Sequence, residues 1–303
     1  MRCRGGRAGR RDHTGCRSTA KNEIVVLMTT SSPYKRIAVA STFSPRFVQV
    51  LAEAKRIQER FGSDLNLIYV GERDDKTDRT FSEAFAQLKL PADSTILYAQ
   101  GDPAAAILAA LTDNDVDLVV AGALEKEAVF HPFLGNVARR LVREAACSVM
   151  LFTRPEVEPK PLRRMVFVAD YSDYARKALQ SCLLLASAEN CERLYVIRII
   201  TTFDEIRAAR DERGESGDKL KSLDDEEVAL EEFVLSMGHT DVPIEARCIR
   251  GNTGFAAADF VRSVEADLLA VPVPPRTEGG AENLPGNISW ISDVIPCNLW
   301  VIR

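Results

Sequence analysis

Asp117-Leu118-Val119-Val120-Ala121 and Asp267-Leu268-Leu269-Ala270-Val271 are one pattern written twice in a single chain. Each is an acidic residue followed by an apolar run of strand length. A strand with one wet face would alternate; an unbroken run suits a parallel strand covered on both faces. Just upstream, each copy has a strand ending in a glycine turn: Ile96-Leu97-Tyr98-Ala99-Gln100-Gly101-Asp102, and Ala246-Arg247-Cys248-Ile249-Arg250-Gly251-Asn252. Asp102 and Asn252 stand where the N-cap of the next helix belongs. Downstream, a loop leads to Gly135-Asn136-Val137 and to Gly286-Asn287-Ile288. A short helix and a last strand follow, Ala146 to Phe152 and Pro296 to Ile302, with Cys147 and Cys297 at matching places.

The match extends toward the start of each copy. First strands open at Arg36 and Met165 and run into turns at Ser44 and Ser172. Behind the first, Phe47, Val50, Leu51, Ala54, Ile57 and Phe61 make an apolar stripe at helical spacing; behind the second, Ala175, Ala178, Leu179, Cys182 and Ala186 do the same. Second strands are Leu65 to Val70 and Leu194 to Ile199. The stretch after them is variable, and its acidic run in the second copy, Asp224 to Glu227, is expected on the wet face of a helix. Alternating strands and helices imply parallel sheets with right-handed crossovers. The expectation is an α/β chain of two tandem, doubly wound, Rossmann-like domains of about five strands each. Domain one spans 34–154, a proline-bearing linker 155–163, and domain two 164–303. A ligand would sit beyond the carboxyl ends of the strands, where Thr42 or Asp170 and Gly101 or Gly251 gather.

Composition fits that plan. The chain has 303 residues, 46% hydrophobic and 27% charged, enough for two cores without metal or disulfide support. Seven cations and one anion give the first 21 residues +6, which leaves −11 for the rest of a chain whose net charge is −5. So acidic a body lacks the clustered Lys and Arg that nucleic-acid binding needs. Residues 1–33 are expected to be a disordered basic tail, with Met28 as the natural start. Seven scattered cysteines without CxxC spacing read as reduced thiols of a cytoplasmic protein, and Cys147, Cys182, Cys248 and Cys297 as small buried hydrophobes. His13, His131 and His239 lack metal spacing. No apolar run is long enough for a membrane span. Nucleotide-loop, zinc-protease and serine-hydrolase motifs are absent, so no catalytic residue is assigned.

The order of landmarks resembles the universal stress protein family in its tandem form. The resemblance spans Lys35 to Arg303 and implies an adenine nucleotide alpha hydrolase-like fold. It rests on the opening Val-Ala-x-x-x-Ser, the glycine after the third strand, the loop into Gly-Asn, and the cysteine before the last strand. ATP-binding members use an Asp after the first strand and a loop of pattern G-x2-G-x9-G-[S/T], whose backbone amides and helix N-terminus receive the phosphates. Carried over, a nucleotide would meet Thr42, Val70, Gly101, Gly122, Gly135 and Asn136 in the first copy. In the second it would meet Asp170, Ile199, Gly251, Gly286 and Asn287. The first copy departs from the pattern: Thr42 replaces the Asp, Glu125 the second glycine and Asn136 the hydroxyl residue. A carboxylate about 4 Å from a phosphate costs about 1 kcal/mol even in water. The second copy keeps Asp170, which also suits a helix cap, but opens its loop with Pro272-Val273-Pro274-Pro275, and proline removes amide donors. Arg276, Gly279 and Gly280 offer charge and backbone at altered spacing.

The resemblance thus implies a non-catalytic stress-response protein acting through protein contacts, with ATP as a weak ligand or none. The alternative is an ATP or AMP sensor working chiefly through the second copy. An adenylyl-transferring enzyme survives only as fold analogy. Val149 to Phe152 and Leu299 to Ile302 are expected to join the copies as an intramolecular pseudo-dimer, and a further homodimer is compatible with this.

Overall fold

The computed structural model describes residues 32–41, 44–92, 94–123, 134–201, 223–251, 253–275 and 295–303. The first half contains β1 (Arg36–Ser41), α1 (Phe47–Phe61), β2 (Asp64–Val70), α2 (Asp75–Leu88), β3 (Ile96–Ala99), α3 (Pro103–Asp113), β4 (Leu118–Gly122), α4 (Asn136–Glu144) and β5 (Ser148–Phe152). The second contains β6 (Arg164–Val168), α5 (Asp173–Ala188), β7 (Arg193–Ile200), α6 (Leu223–Leu235), β8 (Ile244–Arg250), α7 (Thr253–Ser263), β9 (Leu268–Pro272) and β10 (Asn298–Ile302).

The ten strands among the described residues form one sheet in the order β3-β2-β1-β4-β5-β10-β9-β6-β7-β8. Every pairing is parallel except that of β5 with β10, where Leu299, Trp300 and Val301 face Leu151, Met150 and Val149. Each half therefore repeats one strand order, and the halves run in opposite senses across the joint. Ser32–Arg303 forms one compact unit.

Strand alternation sends side chains to two cores. Ile37, Val39, Leu118, Val120, Met150 and Trp300 face α1, α2, α5 and α6. Ala38, Val119, Ala121, Val149, Leu299 and Val301 face α3, α4 and α7. Helices on both faces explain why β4 and β9 are buried at nearly every position, as their unbroken apolar runs require. The stripes expected on α1 and α5 are the buried residues of those helices. Trp300 is 0% exposed and packs beside Tyr34 and Phe61 at ring distances of 6.1 and 6.0 Å.

Local signals behave as their chemistry predicts. Asp102 caps α3 by accepting from the Ala105 amide at 3.0 Å, and Pro103 opens that helix where its missing N–H costs nothing. Asn252 lies outside the described residues. The acidic run sits in the first turn of α6, where negative charge suits the helix dipole. Asp224, Asp225 and Glu227 are exposed, but Glu226 is drawn inward because it accepts from the Tyr171 hydroxyl at 3.1 Å. Cys182 is buried, whereas Cys147, Cys248 and Cys297 are only partly so, being near strand ends or on the edge strand β8.

A buried cluster of charges crosses between the halves. At the α1–α5 seam, Arg56 meets Glu53 at 2.6 Å and Glu189 at 2.8 Å, and Arg60 meets Glu189 at 2.7 Å. The Leu162 amide also donates to Glu189, at 2.9 Å.

Candidate functional site

In each half the strand order reverses beside the first strand, which lies between the second and fourth strands. In an open α/β sheet the ligand crevice lies at the carboxyl edge of such a reversal, which puts it between β1 and β4 and again between β6 and β9. Because β5 and β10 are antiparallel, the two crevices open at opposite ends of the sheet.

In the first half, Gly122 ends β4, and a Cβ there would lie 3.3 Å from a methyl of Val50. Gly135 is the N-cap of α4. Its amide donates to the Ala123 carbonyl at 3.0 Å, so this glycine returns to the end of β4. That same bond occupies the amide that would greet a phosphate. Asn136 follows as an exposed first residue of α4, and Val70 ends β2. Gly101 follows β3 with φ +106°, a conformation only glycine adopts freely. Thr42, Glu125 and His131 lie outside the described residues.

Next to this edge, Arg140 of α4 donates to Asp102 at 2.6 Å and to Glu144 at 2.9 Å. The Ala105 amide, and after it Arg140, holds the Asp102 carboxyl below its usual range.

In the second half, Asp170 lies two residues beyond β6. One carboxylate oxygen accepts from the Ser172 amide at 3.0 Å and from the Ser172 hydroxyl at 2.5 Å. The other accepts from the Tyr174 hydroxyl. Ser172 in turn caps α5 by accepting from the Ala175 amide at 3.1 Å. Asp170 therefore braces a cap and holds a tyrosine, using both oxygens. The chain reaches Ser172 through Tyr171, whose φ is +63°, an uncommon state for an aromatic residue. Tyr171 lies under Arg198, whose guanidinium carbon is 5.2 Å from the ring centre. Burial, and then Glu226, pushes the Tyr171 hydroxyl far above its ordinary titration range.

Ile199 is buried in β7. Gly251 follows β8 with φ +147°, and its amide donates to the Ile200 carbonyl at 3.0 Å. Pro272 ends β9, and Val273 continues beside β10 through a 2.8 Å bond from its amide to the Ile302 carbonyl. Gly286, Asn287, Arg276, Gly279 and Gly280 lie outside the described residues.

The structure thus joins Gly122 to Gly135 through Ala123, and Asp170 to Ser172 and Tyr174. Sequence reasoning missed Tyr171, Tyr174, Arg198 and Glu226. Tyr174 had a signal, since it stands four residues after Asp170 in a first helical turn; Arg198 and Glu226 had none. Among the described residues no group of three His, Cys, Asp or Glu side chains could hold a metal ion. No described helix is long and apolar enough to cross a membrane.

Known proteins give the same reading. The sequence profile of the universal stress protein family matches residues 72–153. A universal stress protein of Thermus aquaticus is 30% identical over 135 residues, covering 39% of this chain and 98% of that protein. Among solved structures, a universal stress protein from Archaeoglobus fulgidus superposes with a TM-score of 0.62 at 14% identity, covering 90% of this chain and 98% of that one. A functionally unknown protein from Pseudomonas aeruginosa gives 0.64 at 15% identity, covering 89% and 92%. At such identities the structures speak to fold alone. With nearly the whole Thermus sequence matched, this chain belongs to the universal stress protein family.

Proposed function

We propose that the chain is a non-catalytic, cytoplasmic stress-response protein that acts through protein contacts, with its nucleotide crevices reduced to structural turns. One observation carries the reading: both carboxylate oxygens of Asp170 accept bonds from its own turn, Ser172 and Tyr174. Three of the carboxylate's roughly four acceptor sites are thus committed, so a ribose hydroxyl would find little of Asp170 left to bind, and exchanging it for the turn's own donors returns little net affinity. The Gly135 amide, committed to Ala123, argues likewise for the first half. Prolines 272, 274 and 275 remove donors from the second loop. The antiparallel β5–β10 joint supports reading the halves, 34–154 and 164–303, as an intramolecular pseudo-dimer. The free cysteines among the described residues suit a reducing compartment.

Nucleotide binding in the second half is the competing reading, favoured by Asp170 standing at the β6 edge. A melting titration with magnesium ATP and AMP separates the two. A ligand that binds only the folded state raises stability by RT ln(1 + [L]/Kd). The proposal expects no shift at millimolar nucleotide. A saturable rise that Asp170→Ala abolishes would establish the competing reading.

A further inference from the structure

The sheet ends at β8, and among the described residues no strand lies beyond it. On its inner side, the Leu194 amide donates to the Pro243 carbonyl at 2.9 Å, and the Gly251 amide donates to the Ile200 carbonyl at 3.0 Å. In a parallel ladder alternate residues bond to one neighbour. The two flanking bonds therefore assign Glu245, Arg247 and Ile249 to β7, and turn the amides and carbonyls of Ile244, Ala246 and Cys248 outward. The register runs unbroken from Leu194–Ile244 to Ile200–Arg250, so no bulge interrupts this edge. At the other end of the sheet, β3 has only four residues.

α6 runs beside the open edge. Ile244, Ala246 and Cys248 point to its side of the sheet, and a hollow of ≈ 330 Å³ separates strand from helix, lined by Glu227, Leu230, Glu231, Ala246, Arg247 and Cys248. Leu230 is buried, whereas Glu227 and Glu231 are exposed one helical turn apart. Their neighbour Glu226 is engaged by Tyr171 and Arg198, and Arg247 is held by Glu245. Among the described residues nothing pairs with Glu227 or Glu231. Like charges at this spacing work against the helix, and a cation brought between them would relieve that.

We propose that the β8–α6 groove docks an extended basic segment of another protein, which adds as a strand to β8 and sets alternate Lys or Arg side chains against Glu227 and Glu231. The open backbone groups supply affinity and the acidic wall supplies choice, the division of labour in strand-addition binding. A second copy of this chain fits poorly. Antiparallel β8–β8 pairing keeps both α6 helices on one face of the joined sheet and brings their acidic walls together. The groove lies two strands from the β6–β9 crevice. It gives a surface to the protein-contact reading and rests on that reading only for its purpose, since it requires nothing of the nucleotide.

The test uses the full chain and a labelled, acetylated eight-residue peptide of alternating Lys and Val, at low salt. Fluorescence anisotropy reads affinity and amide hydrogen exchange reads the place. Expected are saturable binding and slower exchange at Ile244, Ala246 and Cys248. Affinity should fall at least about tenfold with a Glu–Val peptide, with alternate N-methylation of the peptide, and in E227Q/E231Q. Ala246→Pro removes only an outward donor, which edge strands tolerate, and should weaken binding while the β7 ladder persists. No binding at millimolar peptide overturns the proposal, as does binding that leaves β8 exchange unchanged or survives both E227Q/E231Q and N-methylation. Protection of the same amides that grows with protein concentration alone would give the edge to a second copy. Nucleotide titration in parallel reports on the crevice independently, because E227Q/E231Q should leave any ATP response unchanged.

Discussion

Replacing Glu189 with alanine should loosen the seam between the halves. The Glu189 side chain is 0% exposed and Arg56 9%, so their 2.8 Å contact is screened little by water. Removing one partner of a buried pair strands the other, at about 3–5 kcal/mol. Arg56 keeps Glu53 at 2.6 Å and the Lys160 carbonyl at 3.1 Å. Arg60, 39% exposed, can turn to solvent and adds little. The lower end applies, about 3 kcal/mol. At about 2–4 °C per kcal/mol for a domain of this size, the melting temperature should drop by roughly 6–12 °C.

Titration adds a sign. Burial pushes the Glu189 carboxyl up, but Arg56, Arg60 and the Leu162 amide together hold it below its ordinary 4.5. A depressed carboxyl stabilises the fold above its unfolded value, and that contribution is lost as pH falls through the folded value. The gap between parent and Glu189→Gln should therefore be widest near neutral pH and close on acidification below about pH 4. Glu53 has the opposite sign: its burial outweighs Arg56 and raises its carboxyl. Glu53→Gln should cost less than Glu189→Gln at neutral pH. Calorimetric scans from pH 7 to pH 3.5 read both. A Glu189→Ala loss under about 1 kcal/mol, or equal losses for the two glutamines, would refute the assignment of Glu189 as the anchor of the seam.

Trp300→Ala should lose about 3–5 kcal/mol, since the ring is fully buried between Tyr34 and Phe61; urea unfolding measures it, and a loss below about 1.5 kcal/mol would contradict that packing. Gly251→Ala should destabilise by at least about 1 kcal/mol, because φ is +147° and the new Cβ would meet that of Ala256 at 3.1 Å; unchanged stability would mean the turn relaxes. Ser172→Ala removes the cap of α5 at about 1 kcal/mol and takes the hydroxyl donor, but not the amide, from Asp170. If that hydroxyl helps to close the crevice, melting with ATP should show a response in this variant that the parent lacks.

The legible parts of the fold were those where one residue type answers one physical demand. β4 and β9 announced themselves because a strand covered on both faces tolerates no polar residue. Gly101 and Gly251 did so because their turns need positive φ, and Asp102 because an N-cap needs a short acceptor. Charged side chains on helices carry no such mark. Glu226 read as solvated and is drawn to Tyr171 and Arg198; Glu189 ends α5 like any surface acid and is the most enclosed carboxylate of the seam. Their partners are remote in sequence, and no local spacing points to them. Asp170 was legible as a site residue by type and position. Its engagement depends on Tyr174 and Ser172, which the family pattern does not mention.

The direction of the β5–β10 joint has a consequence for how such a chain works. Parallel fusion would have set both carboxyl edges side by side and allowed one partner to span them. Antiparallel pairing places them at opposite ends of one continuous sheet, so an event at one crevice would reach the other through the shared core or the α1–α5 seam. The seam holds buried charge, and a buried pair that breaks leaves an uncompensated charge, not a slightly weaker contact. It favours one relative setting of the halves over any slid alternative. If Glu189 fixes that setting, a change at either carboxyl edge should be felt at the other in the parent and lost in Glu189→Ala. Amide exchange at Gly251, measured with and without a Gly101→Ala substitution in the opposite half, would detect the coupling; equal responses in parent and Glu189→Ala would leave the seam a staple and nothing more.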